Sequence, residues 1–129
     1  MIYRIYNTET KLYSKGGTYY TKFNQVGKIW NHLSYVKSHL RGAYCERISN
    51  IKYWLDSYNK GIPKDEYGKQ YYTGWLTDKI KSLTNFNIDK ITNQKYYNNI
   101  PKELEVIEYD DNLVELRRFN ARELYPEYI

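Results

Sequence analysis

Strict alternation opens this chain. In Ile2-Tyr3-Arg4-Ile5-Tyr6 successive side chains belong to opposite faces, the period of a half-buried strand. Asn7 and Thr8 follow as turn formers and Lys11 to Ser14 returns, which predicts a hairpin ended by Gly16 and Gly17. The stretch from Thr18 to Gln25 extends the sheet or forms a loop. Val26 to Trp30 reads as a short third strand feeding a helix, with Asn31 or Ser34 as its N-cap.

From Leu33 the period lengthens. Leu33, Val36, Leu40, Tyr44, Ile48, Ile51, Leu55 and Tyr58 recur every three or four residues. At about 100° per residue they share one stripe about 80° wide, which predicts a long helix. Gly42 kinks this segment or divides it in two, and Gly61 with Pro63 ends it. Tyr72, Leu76, Ile80 and Leu83 predict another helix over Tyr71–Leu83, and the asparagine-rich stretch after it reads as a loop with a helical turn from Asp89 to Thr92. Residues 104–119 predict a hairpin: Val106 and Ile107 lie in one strand, Asp110-Asp111-Asn112 form the turn, and Leu113 to Phe119 return to pair with the first strand. The tail from Asn120 is a final helical turn or an arm that docks on a neighbour. The expected fold is α+β, an antiparallel sheet of four to five strands packed against a long helix, with a helical insertion before a C-terminal hairpin. The 129 residues suit a single domain with a basic region over 1–44, the insertion over 45–100 and an acidic hairpin and tail over 101–129.

Charge sharpens this division. Residues 1–44 carry seven Lys/Arg against Glu9 alone, whereas residues 101–129 carry four against eight acidic residues. A basic front suits a polyanion or an acidic protein, and the opposite ends suit head-to-tail pairing of copies into a homo-oligomer. The 18% aromatic content, mostly among 17 tyrosines, excludes a disordered polar chain. Cys45 is the single cysteine, so neither an internal disulfide nor a thiolate cluster can form and a reducing, cytoplasmic setting is expected. The N-terminus lacks an apolar h-region, and no apolar run approaches the roughly 20 residues that span a bilayer, so no membrane partner is expected.

Candidate chemistry is sparse. His32 and His39 are seven apart, whereas chelation by one helix uses a spacing of four. Cys45 reads as a buried structural thiol, and Glu103, Glu105, Glu108, Asp110 and Asp111 as a solvated strand and turn. Lys15-Gly16-Gly17 carries neither the P-loop nor the dinucleotide pattern. No catalytic residue, metal ligand or cofactor is expected, and the chain reads as a non-enzyme. What remains is basic and aromatic interleaving. Lys15, Tyr20, Lys22 and Lys28 precede Trp30, and Lys37, His39 and Arg41 follow it on the helix. Such residues neutralise phosphates and stack on bases, or meet an acidic protein.

The motif Tyr3-x-Ile5-x-Asn7-x-x-Thr10-x-Leu12-Tyr13-x-x-Gly16-Gly17, followed by Gly27-Lys28-x-Trp30, resembles the opening of a group of small bacteriophage accessory proteins over about 40 of the 129 residues. Lys11 stands where those sequences carry a turn glycine, and residues 45–100 look like an elaboration of this chain. The layout is more distantly similar to the hybrid-binding domain of ribonuclease H. The phage resemblance implies binding rather than catalysis: inhibition of a host protein or ribonucleoprotein complex in the host cytoplasm, in an anti-CRISPR-like or other anti-defence role. The competing reading is direct binding of nucleic acid or a nucleotide by the basic and aromatic front.

Overall fold

A computed structural model describes residues 1–17, 22–59, 78 and 94–128. The first hairpin forms as the alternation predicts, with β1 at Ile2–Asn7 and β2 at Leu12–Ser14. The Asn7 side chain closes its turn, Oδ1 accepting from the amides of Glu9 and Thr10 at 2.9 and 3.1 Å. Lys11 completes the turn at φ 62°, in the left-handed region that favours glycine.

The third strand differs from expectation. It is β3 at Phe23–Asn24, from the stretch left open as sheet or loop, and it pairs with β2. Of Val26 to Trp30, Trp30 alone forms a β-bridge, exchanging backbone hydrogen bonds of 2.8 and 2.9 Å with Tyr3, while Lys28 donates its amide to the Ser14 carbonyl of β2. Gly27 explains the detour: at φ 72° an added Cβ would overlap Tyr13 Cβ, so the chain passes too close to β2 to lie beside it as a strand.

The helix also differs. α1 spans Leu33–Tyr44 and buries Val36 and Leu40, but its N-cap is His32, in extended backbone without a side-chain cap, instead of Asn31 or Ser34. The chain then leaves the helix as β4, Cys45–Arg47, before α2 resumes at Ile48–Asn59. The single long helix is therefore two short ones. The break falls at Cys45, not at Gly42, which stays inside α1. Pairing of β4 with β5, Tyr96–Asn98, causes it, because a ladder with a distant strand outweighs the helical preference of three residues. Each half of the stripe then buries a different core. Val36 and Leu40 join Tyr3, Ile5, Leu104 and Val106, whereas Ile48 and Ile51 pack with Tyr97. Of the helix expected over Tyr71–Leu83, Asp78 is described and is helical; the rest, and the turn from Asp89 to Thr92, lie outside the described residues.

The C-terminal hairpin forms from β6, Leu104–Tyr109, and β7, Glu115–Asn120. It is β6 that pairs with β1, along all six residues, and the last strand lies outside it. The sheet order is β3-β2-β1-β6-β7, five antiparallel strands. Through the central β1 and β6, Tyr3, Ile5, Leu104 and Val106 face α1, while Arg4, Tyr6, Ile107 and Tyr109 occupy the other face.

The tail folds back on its own core. Asn120 caps the 3-10 turn Ala121–Leu124 by accepting from the Arg122 amide, and Tyr125 is buried with its hydroxyl donating to the Lys37 carbonyl at 2.8 Å. Buried Asn98 ties it down: its Nδ2 donates to the carbonyls of Arg122 and Tyr125, and its Oδ1 accepts from the Ile100 amide. Among the described residues no helix is long and apolar enough to cross a membrane.

Candidate binding surface

The Gly-Lys-x-Trp stretch folds into a cradle. The Lys28 amide donates to the Ser14 carbonyl at 2.8 Å, and the Lys28 side chain lies across Gly16, where a Cβ would stand 3.1 Å from Lys28 Cδ and 3.6 Å from the Trp30 ring. The Lys28 ammonium sits 5.2 Å from the Trp30 ring centroid, and the His39 ring packs against Trp30 at 5.3 Å. Trp30 is buried, so its ring belongs to the core and is not an open stacking platform. His39 Nε2 is enclosed without a hydrogen-bond partner. Burial lowers the His39 pKa, with Lys28 adding to the effect, so its imidazole is neutral near pH 7.

The expected basic residues do not all meet. Lys15, Lys22 and Lys28 gather at one end of the β2–β3 ladder, where the Lys15 amide donates to the Lys22 carbonyl at 2.7 Å. All three are exposed, and no carboxylate among the described residues lies within ion-pair distance of them. Lys37 and Arg41, four apart, occupy one flank of α1, and the Lys37 ammonium lies 5.2 Å from the Tyr125 ring. Helical geometry puts His32, Tyr35 and His39 on the opposite flank, across the Val36–Leu40 stripe. Tyr20 lies outside the described residues.

Two apolar side chains next to Lys28 in sequence, Val26 and Ile29, which a third strand would place in the sheet, are exposed, as is Tyr35 on the His39 flank of α1. Val26 is 69% exposed, Ile29 49% and Tyr35 59%. They bracket Lys28 in sequence, and the Tyr35 ring is held edge-on to His32 at 5.0 Å. Their signal was present in the sequence. Gly27 between Val26 and Lys28 argues against a regular strand, and without one nothing turns Val26 and Ile29 inward.

The opposite sheet face is self-contained. The Arg4 guanidinium lies 3.7 Å from the Tyr13 ring centroid and donates from Nη2 to the Tyr109 hydroxyl at 2.7 Å. Arg118 stacks over Tyr6 and bonds Glu115 at 2.7 Å and Glu105 at 3.4 Å. Cation and carboxylate meet within this layer, so it offers little free charge to a polyanion. The acidic strand is less solvated than expected. Glu108 is buried, paired with Arg117 at 3.2 Å, and hydrogen-bonded to Tyr3, whose hydroxyl pKa rises through burial first and Glu108 second. Among the described residues no group of three or more His, Cys, Asp or Glu could hold a metal ion. Burial pushes the Cys45 thiol up to about 11, which leaves it protonated and unreactive at neutral pH.

Comparison of the chain with family models, curated protein sequences and solved structures finds no match.

Proposed function

We propose that this chain is a non-catalytic, phage-type accessory protein that binds and inhibits a host defence or nucleic-acid-processing complex. It docks through Val26, Lys28, Ile29 and Tyr35, with Lys15 and Lys22 at the margin. The observation that carries this reading is the exposure of Val26, Ile29 and Tyr35 around a lysine fixed on the Trp30 rim. Aliphatic side chains and a tyrosine pinned against His32 suit the desolvated centre of a protein interface, where a few such residues supply most of the affinity. The three lysines around them favour an acidic partner and speed its encounter.

Direct nucleic-acid binding is the second reading, supported by the gathering of Lys15, Lys22 and Lys28 without carboxylate partners among the described residues. One pair of experiments separates the two. Under host inhibition, affinity capture from bacterial lysate recovers one dominant protein after nuclease treatment. Under nucleic-acid binding, single-stranded RNA or DNA binds with an affinity that falls steeply with salt and weakens in Lys28→Glu. Recovery of nucleic acid alone rejects the inhibitor reading.

A further inference from the structure

The sheet has two edges, and they are unlike. At one end β3 is two residues long, too short to extend the sheet. At the other, β7 is six residues long, and on the side away from β6 its backbone has no strand partner among the described residues. Strand edges of this length invite pairing unless charge, proline or a covering element blocks them. This edge mixes charge with apolar surface: within β7 Leu116 is 48% exposed between Glu115 and Arg117, and Leu113 and Val114 just before the strand are 66% and 57% exposed. The amino terminus joins the same patch, with exposed Met1 holding its ammonium 3.7 Å from Asp111 in the adjoining turn.

We infer that β7 pairs antiparallel with β7 of a second copy, about a two-fold axis between Leu116 and Arg117. The charge pattern of the strand suits a second copy of itself. In that register Glu115 lies opposite Arg118 of the second copy, and the reciprocal pair forms on the other side of the axis. Val114 falls opposite Phe119. In a regular strand residues three apart point to opposite faces, which would forbid this arrangement. The β-bulge removes the obstacle: Glu108 opposes Arg117 and Tyr109 opposes Glu115, so Leu116 is the extra residue. Glu115 and Arg118 therefore share a face, as their 2.7 Å contact within one chain shows. Each can then also reach its counterpart across the axis.

The result is an isologous dimer with a continuous ten-stranded sheet, unlike the head-to-tail pairing that the charge asymmetry alone suggests. An edge of six residues with a small apolar patch makes an interface at the low end of stable sizes, so association falls in the micromolar range. The inference does not depend on the proposed function, although the Val26–Tyr35 surface lies toward the opposite edge and stays free in the dimer.

Light scattering coupled to size exclusion, over a concentration series of the full chain, tests it. The expected mass rises toward twice 15.7 kDa with concentration. Leu116→Lys, which sets a lysine against Arg117 of the second copy, and Glu115→Arg, which sets it against Arg118, each weaken dimerisation at least tenfold. The swap Glu115→Arg/Arg118→Glu restores it. All these positions are exposed, and unchanged circular dichroism and melting of dilute samples show that the fold is intact. A monomer at every concentration, a dimer indifferent to both single substitutions, or growth beyond a dimer would overturn the inference.

Discussion

Lys11 and His39 carry opposite kinds of strain. Lys11 holds φ 62° at an exposed turn, where a side chain with a Cβ costs roughly 1–2 kcal/mol. Glycine removes that cost and returns part of it through a freer unfolded chain, so Lys11→Gly raises unfolding free energy by about 0.5–1 kcal/mol in a urea titration. His39 bears an electrostatic cost. Burial and Lys28 hold its folded pKa below the ordinary value, so the unfolded chain takes up this proton first as pH falls. Its share of stability is complete above the unfolded pKa of about 6.5 and is lost as pH drops toward the lower folded value. Denaturant melts from pH 8 to pH 5 therefore show declining stability, and His39→Gln flattens the decline. The hairpin turn itself was legible from Asn7 and Thr8, because turn chemistry is local, but the left-handed conformation of Lys11 was not. Nor does the sequence give any sign that His39 faces Trp30, since that contact joins α1 to the segment that bridges β1.

At the scale of elements, what could be read was what is local. Both hairpins follow from alternation and turn residues within a dozen positions, Asn7 in one and Asp110 in the other, where Asp110 accepts from the Asn112 and Val114 amides. The break in the helical stripe could not be read, because β4 is a strand only through β5, about fifty residues later. Tyr44 and Ile48 stay four apart across the break, so the helical period persists in the sequence while the backbone departs from it. The glycine suspected of breaking the helix has a simpler position. Gly42 lies exposed within α1 and an added Cβ would meet nothing within 4 Å. Gly42→Ala accordingly stabilises the protein by up to about 1 kcal/mol, read as a higher urea midpoint with unchanged slope. A loss of stability there would mean that α1 is not continuous through residue 42.

Across the whole molecule, the basic front divides according to topology. Composition placed seven cations in the first 44 residues, but only strand order and helix phase decide which of them adjoin. Lys15, Lys22 and Lys28 come together at the β2–β3 end; Lys37 and Arg41 lie across α1, beside the tail that Tyr125 and Asn98 fasten down. Val26 and Ile29 entered the picture because Trp30 is the one residue of that stretch in a β-bridge with β1, which leaves their side chains exposed. The central claim is that these residues and Tyr35 form one docking surface around Lys28. Its most direct test is the affinity of the captured host protein for the wild type, for Lys28→Glu, for Tyr35→Ala and for Gly42→Ala, measured by calorimetry at fixed salt. Lys28→Glu and Tyr35→Ala are each expected to weaken binding at least about tenfold, the scale of losing an interface anchor, while Gly42→Ala binds as the wild type does. Equal affinity for all four proteins would contradict the claim.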